Sequence, residues 1–165
     1  MGSGKSAVGK KLATVLGLPF KDMDIEIEKH EGVSIPNLFL EKGEIHFRKI
    51  ENEILKKILS RTEDFVLATG GGTPCYADSM DFITLQKDVV SIYLKTSLDV
   101  LTTRLFSEKE NRPLLKHLKT EEELNDFIRK HLFERAFYYN KAGLIIENRG
   151  GSVNETVEKI ILKLF

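Results

Sequence analysis

The sequence of 165 residues lacks tryptophan, holds one cysteine and four prolines, and carries no net charge. The lone cysteine, Cys75, cannot close an internal disulfide, so the chain lacks the crosslinks of small secreted scaffolds. No apolar run approaches the roughly 20 residues that a membrane-spanning helix needs, and no signal-peptide pattern is present. These absences predict a cytoplasmic protein.

The charges are balanced, with 25 Lys and Arg residues against 25 Asp and Glu residues. No net field draws the chain to nucleic acid or to an anionic membrane, and we expect neither as a partner. Hydrophobic residues make up 41% of the sequence, which is enough for one core, and the length lies within the usual size of one domain. We expect one monomeric domain over residues 1–165 that acts on small molecules.

Helical and strand-like patterns alternate along the chain, which favours a parallel sheet covered by helices, the α/β class. The strands are predicted around Pro19–Lys21, Phe65–Ala68, Val89–Leu94 and Gly143–Ile146. Three helical ranges are predicted over Lys5–Leu16, Ile25–Arg61 and Leu98–Phe106, the second with breaks near Gly32, Pro36 and Gly43. Two more helices are predicted from capping pairs: one begins at Thr120 with Glu123 and ends at about Asn140, and the other begins at Ser152 with Glu155. The predicted inward faces are Val8, Leu12, Val15 and Leu16 in the first helix and Phe47, Ile50, Ile54 and Ile58 in the second range. The charged stretch Ser107–Lys119, which contains Pro113, predicts a mobile loop.

The segment MGSGKS at residues 1–6 opens directly into the first predicted helix. It is most of a Walker A loop, in which glycines let backbone N–H groups point at phosphate oxygens and the helix dipole adds positive charge. Lys5 would then bridge the β- and γ-phosphates, and the hydroxyl of Ser6 would face Mg²⁺. The alternative is a flexible Gly/Ser-rich start such as a cloning scar, which the amphipathic helix that follows disfavours.

Three further groups follow predicted strands or lie on the second helical range. Asp22 and Asp24 come at the end of a strand, where one carboxylate can serve a metal and the other an acceptor hydroxyl, although Asp is also common as a helix cap. Gly70, Gly71 and Gly72 follow a buried strand and predict close approach of the backbone to a ligand, whereas a plain turn needs fewer glycines. Arg48 lies one helical turn before Glu51; by itself it would be read as a solvated surface residue.

Together these segments resemble the shikimate kinase family over essentially the whole chain. The similar segments are MGSGKS at 1–6, DMD at 22–24, SIPNLF at 34–39, GEIHFRKIE at 43–51, TGGG at 69–72, RPLL at 112–115 and RAFYY at 135–139. The resemblance implies a nucleoside-monophosphate-kinase-like P-loop fold with three layers: a five-stranded parallel sheet, a helical substrate-binding segment over about residues 25–62, and a lid over about residues 107–119. It implies transfer of the γ-phosphoryl group of ATP to the 3-hydroxyl of shikimate in the chorismate and aromatic amino acid pathway, with one Mg²⁺ per monomer.

The resemblance also assigns roles to residues. Lys5, Asp24 and Arg112 are implied as catalytic, with Arg112 as the lid arginine that reaches the transferred phosphate. The implied nucleotide-binding residues are Gly2, Ser3, Gly4, Lys5, Ser6, Ala7, Arg104 (which stacks on adenine) and Arg112, and the implied metal site is Ser6 with Asp22. The implied shikimate-binding residues are Asp24 for the hydroxyls, Arg48 and Arg135 for the carboxylate, Gly70, Gly71 and Gly72 along the ring, and Phe39, Phe47 and Glu51 around the pocket.

Two departures from the family pattern stand out. Phe137 occupies the position where the family usually has proline in R-x-P-L-Y. The sequence starts at the third position of the Walker A motif, so the first glycine and the central strand that feeds the loop are missing. We expect the natural protein to begin about ten residues earlier, with an apolar strand and that glycine.

Two other functions remain open from the residues. Gluconate kinase and other small-metabolite kinases share the loop and the fold, but they have no need for arginines in both the FRKIE and RAFYY segments. A non-catalytic nucleotide-binding relative would fit the shortened loop.

Overall fold

The computed structural model of the chain describes residues 2–109 and 115–165. It has the predicted α/β character, with parallel strand pairs and helices along the chain. The described residues group into two compact units, Lys5–Ser91 and the combination of Met1–Gly4 with Ile92–Phe165. No helix in the described ranges is both long and apolar enough to cross a membrane.

The unit Lys5–Ser91 contains one short parallel ladder, four α-helices and one 3-10 helix. In chain order its elements are α1 (Lys5–Leu16), β1 (Phe20–Asp22), α2 (Met23–Glu31), α3 (Ile35–Leu59), β2 (Val66–Ala68), a 3-10 helix (Thr73–Cys75) and α4 (Ser79–Leu85). β1 pairs with β2 from Phe20 opposite Val66 to Asp22 opposite Ala68. Because parallel strands end at the same edge, Asp22 and the glycines after Ala68 come to one edge of this ladder.

The core of this unit forms mainly between α2 and α3. The predicted inward residues of the second helical range, Phe47, Ile50, Ile54 and Ile58, are all buried, as expected. The face predicted for α1 is only partly right: Val8 and Leu12 are buried, but Val15 is 53% exposed. Ala13 is buried instead of Val15. The buried face of α1 consists of Val8, Gly9, Leu12 and Ala13 and does not extend to the end of the helix.

Two of the three predicted breaks between Ile25 and Arg61 are confirmed. Gly32 ends α2 at φ 72°, and Gly43 interrupts α3 at φ 77° and ψ 174°, where the chain kinks. Both backbone conformations lie in the region that glycine tolerates and L side chains rarely adopt. The break at Pro36 is wrong: Pro36 lies in the first turn of α3, where its missing N–H costs no helical hydrogen bond.

Glu31 connects the end of α2 to both sides of the kink in α3. Its carboxylate accepts a hydrogen bond from Lys42 Nζ at 2.8 Å on one side of Gly43, and it lies 3.3 Å from His46 Nε2 on the other. His30 Nδ1 is also 3.3 Å away, and the Glu31 side chain is only 7% exposed. The bond from Lys42 is the largest of the effects that lower the pKa of Glu31 to about 2.

We expect Glu31→Gln to destabilise the kinked segment and to speed amide hydrogen exchange over residues 35–47. A carboxylate whose pKa is lowered in the folded state stabilises the protein above its unfolded pKa, and this stabilisation disappears as the pH falls through its folded value of about 2. The difference in unfolding free energy between wild type and variant should therefore be present at pH 7 and shrink as the pH falls below 4. Denaturant unfolding at several pH values measures it.

The control for this experiment is Glu41→Gln, which removes the same charge from an exposed position in the same helix. Its unfolding free energy and exchange rates should stay close to those of wild type. Equal behaviour of the two variants would show that Glu31 does not hold the kink.

The other unit contains β3 (Ile92–Thr96), α5 (Leu98–Glu108), α6 (Glu121–Tyr139), β4 (Leu144–Asn148) and α7 (Val153–Leu164). β3 and β4 pair in parallel from Ile92 opposite Leu144 to Thr96 opposite Asn148. Both predicted capping boxes are confirmed, at Thr120 with Glu123 and at Ser152 with Glu155. Its core is formed by side chains of α5 and α6 together with Leu115.

Several predicted boundaries and elements need correction. The described residues hold four strands in two parallel pairs, and none of the four precedes α1, as expected for a sheet without its first central strand. β3 begins at Ile92 rather than Val89, because Val89 packs its side chain into a core without joining a ladder. Helix α5 continues through Ser107 and Glu108, which were predicted as loop, and residues 110–114 of the predicted lid lie outside the described residues.

The helix α4 was missed. It is only seven residues long, and Asp78, which precedes it, makes no capping bond with its side chain. The carboxylate instead accepts hydrogen bonds from Lys56 at 2.8 Å and from Asn52 at 3.0 Å, both on α3. The start of α4 therefore lacks the capping interaction by which a helix start is predicted from local sequence.

Candidate active site

The backbone of the phosphate-loop segment has the conformation that its glycines predict. Gly2 and Gly4 both lie in the left-handed region, at φ 68° and 83°, and α1 begins directly after them at Lys5. A Cβ atom on Gly2 would lie 2.9 Å from Leu105 Cγ, so this position requires glycine for space as well as for its backbone angle. The helix start and the curled backbone are the arrangement that binds phosphate groups in other proteins.

Asp22 makes two contacts at the end of β1. Its Oδ2 accepts a hydrogen bond from the hydroxyl of Ser6 at 3.1 Å, and its Oδ1 accepts one from the backbone N–H of Asp24 at 3.1 Å. The second contact makes Asp22 the N-cap of α2, so the capping interpretation is right for this residue. The first contact brings a hydroxyl and a carboxylate together, and oxygen ligands of this kind suit Mg²⁺.

Asp24 lies in the first turn of α2 and does not cap it. The residue is exposed as a whole, but partial loss of water around its carboxyl is the largest effect that raises its pKa, followed by the negative charges of Asp22 and Glu51. The positive charge of Lys5 acts in the opposite direction. Asp24 is thus a carboxylate with raised proton affinity, which is a property of general bases.

Glu51 is a buried carboxylate that organises this part of the unit. It is 2% exposed; its Oε2 accepts a hydrogen bond from Arg48 Nη1 at 2.8 Å and its Oε1 accepts one from the hydroxyl of Thr73 at 2.6 Å. The arginine comes from the same helix, and the threonine comes from the turn after β2. Glu51 therefore fixes the position of Arg48 relative to the glycine turn, because buried charge pairs of this kind tolerate little displacement.

The glycine turn needs its small residues because protein groups lie against it. A Cβ atom on Gly72 would lie 2.8 Å from both Nη atoms of Arg48, and one on Gly70 would lie 3.1 Å from Glu51 Oε1 and 3.8 Å from Asp24 Oδ1. Gly70, Gly71 and Gly72 do not have positive φ angles. The groups that approach the turn in this structure are side chains of the protein itself, Thr73, Glu51, Asp24 and Arg48, and the close approach of a ligand stays a prediction.

Aromatic rings surround the guanidinium of Arg48. Its Cζ lies 4.0 Å from the ring centroid of Tyr76 and 5.0 Å from that of Phe47. The ring of Phe39, across the kink, lies 4.6 Å from the ring of Phe47. Partial burial is the largest effect on the pKa of Arg48 and lowers it. The hydrogen bond that Arg48 donates to Glu51 and the negative charge of Glu51 act in the opposite direction, and the pKa is raised. Arg48 therefore stays charged.

Sequence reasoning brought Asp22, Asp24, Arg48, Glu51 and the glycine turn together, and the structure places all of them in the unit Lys5–Ser91. It missed Thr73 and Tyr76. The available signal for both was their position, one and four residues after Gly72 in a turn predicted to bear function.

Two further predicted residues, Arg104 and Arg135, lie in the other unit. Arg104, on α5, donates a hydrogen bond from Nη1 to the carbonyl of Gly2 at 3.4 Å. Arg135, on α6, is half-buried and lies one turn after His131, whose pKa is lowered by partial burial first and by the charge of Arg135 second. Arg112 falls outside the described residues.

Comparisons with known proteins agree on one family. The family model described as shikimate kinase matches residues 1–165. The shikimate kinase of Flavobacterium johnsoniae is 44% identical over 164 residues, which cover 98% of this chain and 92% of that protein.

Solved structures give the same result. The crystal structure of shikimate kinase from Bacteroides thetaiotaomicron has a TM-score of 0.88 and 34% identity, covering 99% of this chain and 93% of that one. Shikimate kinase from Acinetobacter baumannii in complex with shikimate has a TM-score of 0.84 and 34% identity, covering 99% and 88%. The fold is thus that of a P-loop kinase, and the chain belongs to the shikimate kinase family.

Proposed function

We propose that this member of a family of ATP-dependent kinases transfers the γ-phosphoryl group of ATP to the 3-hydroxyl of shikimate, with Asp24 and Arg48 as the centre of its acceptor site. The products would be ADP and shikimate 3-phosphate, an intermediate on the route to chorismate and the aromatic amino acids. The observation that carries this proposal is the buried Glu51, which binds the charged Arg48 beside the glycine turn and whose own negative charge helps to raise the pKa of Asp24.

Asp24 would accept the proton of the attacking hydroxyl. A carboxylate whose pKa is raised by lost hydration and by neighbouring negative charge binds a proton more readily than an ordinary aspartate, and the positive charge of Lys5 acts in the opposite direction by favouring the ionised form. The exposure of Asp24 leaves room for a substrate to reach it. Asp22, which caps α2, fixes the first turn from which Asp24 projects.

Arg48 and Arg135 would bind the carboxylate of shikimate, and Gly70, Gly71 and Gly72 would lie along its ring. Arginine pairs with carboxylates through two parallel hydrogen bonds, which fix orientation as well as charge. For Arg48 this proposal rests on its fixed position against Glu51; for Arg135 it rests on the RAFYY segment and on the half-buried position of the side chain.

The nucleotide side of the site would use the phosphate loop of Gly2, Ser3, Gly4, Lys5, Ser6 and Ala7. Lys5 would neutralise the transferred phosphate together with Arg112, and Arg104 would stack on adenine. Ser6 and Asp22 would hold Mg²⁺, since their hydroxyl and carboxylate oxygens already lie within 3.1 Å of each other. The ion would supply charge neutralisation for the phosphates, and positioning by the protein would supply most of the rest. We further propose that the protein acts as a cytoplasmic monomer.

A coupled assay of ADP release tests the proposed activity. The purified chain is incubated with ATP and MgCl₂ alone, with added shikimate, and with added gluconate. We expect turnover that depends on shikimate. Turnover with gluconate alone would identify another small-metabolite kinase, and nucleotide binding without any turnover would identify a non-catalytic relative; either result would overturn the proposal.

A further inference from the structure

The guanidinium of Arg48 lies over the ring of Tyr76. The distance from Cζ to the ring centroid is 4.0 Å, shorter than the 5.0 Å to Phe47. Tyr76 follows the 3-10 helix after the glycine turn and is 38% exposed, so its ring contributes little to the hydrophobic core. The main contact of the ring is therefore the one with Arg48, and the ring adds little to the packing of the core.

The edges of the same guanidinium are divided between two carboxylates. Nη1 donates to the buried Glu51 at 2.8 Å. Nε and Nη2 both point to Oε1 of Glu44 at 3.4 Å, and the Glu44 side chain is 55% exposed. Bonds of this length to a solvated side chain are weak, so an incoming carboxylate can replace Glu44 on the Nε–Nη2 edge.

We propose that Tyr76 is a positioning residue of the acceptor site, whose ring holds the guanidinium plane of Arg48 so that the Nε–Nη2 edge faces the carboxylate of the substrate. Glu51 alone fixes one nitrogen and leaves rotation about that bond open. The ring of Tyr76 would restrict that rotation, because a cation is attracted to the face of an aromatic ring and planar guanidinium groups stack on such rings. The inference rests on the proposed binding of the shikimate carboxylate by Arg48.

The experiment compares Tyr76→Leu with Tyr76→Phe. Loss of the ring should raise the dissociation constant and the KM for shikimate by about 5- to 30-fold, which corresponds to the usual strength of a partly buried cation–π contact. Tyr76→Phe keeps the ring face and should stay within about two-fold of wild type. The affinity for ATP and the kcat at saturating shikimate should change little in both variants, a division that a general loss of folding would not produce.

Leu85→Ala is the matched control, because Leu85 is 77% exposed on α4 in the same unit. It should leave both substrate affinities unchanged. If Tyr76→Leu does not fold, as judged by its thermal melting, Tyr76→Gln removes the ring with a side chain that tolerates solvent. Unchanged shikimate affinity in a folded variant without the ring would overturn the inference.

A double-mutant cycle separates this inference from the assignment on which it rests. In the Arg48→Ala background, Tyr76→Leu should have no further effect on shikimate binding, since its action passes through Arg48. An equal loss in both backgrounds would show that Tyr76 acts independently of Arg48 and would overturn the positioning role. If Arg48→Ala itself leaves shikimate binding intact, the proposed carboxylate site is wrong, and the role of Tyr76 falls with it.

Discussion

Asp24→Asn should lower kcat by roughly 10²–10⁴-fold, the range expected when a positioned acid–base group is lost. The amide keeps the size of the side chain but cannot take up a proton from the attacking hydroxyl. The affinities for ATP and shikimate should change much less than kcat, and the coupled assay at saturating substrates measures the difference. Glu26→Gln, which removes a charge from the same turn of α2, is the control.

The stability of this variant gives a second readout. A carboxyl whose pKa is raised in the folded state is destabilising when ionised, so removing the charge at pH 7 should maintain or raise the free energy of unfolding. Because Asp22 rather than Asp24 caps α2, no cap is lost. A fall in kcat with unchanged or increased stability is therefore expected, and near-normal kcat would exclude Asp24 as the base.

The raised pKa of Asp24 also predicts the pH dependence of catalysis. Asp24 would act in its ionised form, so kcat/KM should fall as the pH drops through its pKa. Since that pKa is raised, mainly by lost hydration, the acid limb should lie at higher pH than for an ordinary aspartate. The limb should be absent from the residual activity of Asp24→Asn.

Arg48→Ala should weaken shikimate binding by roughly 2–4 kcal/mol, the usual loss when one partner of a buried charge pair is removed. Two effects add: the substrate loses its bidentate partner, and Glu51, at 2% exposure, keeps only its bond from Thr73. Arg135→Ala should weaken shikimate binding to a similar extent. ATP affinity should change far less in both variants, and isothermal titration with each ligand measures the two losses separately.

Two further variants sharpen this test. Lys49→Ala removes a neighbouring positive charge at an exposed position and should leave shikimate affinity unchanged. Arg48→Lys keeps the charge and loses the planar fork, so it should recover only part of the affinity. If Arg48→Ala weakened ATP and shikimate equally, the arginine would serve the fold rather than the acceptor.

Much of the site was predictable because its residues occur in short, dense patterns. Walker A glycines, a pair of aspartates at a strand end and three consecutive glycines each indicate chemistry from a few positions. The resemblance of these segments to one family then supplied Arg48 and Glu51, which helical spacing alone would have left as surface residues. Thr73 and Tyr76 lay beyond the reach of the same reasoning, since a single threonine or tyrosine after a turn has no distinctive pattern.

The contacts of the aspartate pair and of the glycine turn distinguish roles that the sequence left open. The capping interpretation of the aspartate pair is right for Asp22, which caps α2 and also accepts a hydrogen bond from Ser6. Asp24 does not cap the helix and has a raised pKa, and its role toward an acceptor hydroxyl stays a prediction. The glycine turn needs glycine for the close approach of Arg48 and Glu51 rather than for left-handed backbone angles.

The sequence by itself determined the local features of this protein. Helix starts at Ser152 and Thr120, the stop at Gly32 and the kink at Gly43 depend on side chains and backbone angles within a few residues, and all were confirmed. The tertiary structure alone decided that Ser6 meets Asp22, that Glu51 meets Thr73 and that Tyr76 covers Arg48. These contacts join residues 16 to 28 positions apart, and such distances are set by the packing of α2, α3 and the β1–β2 ladder, which no local periodicity encodes.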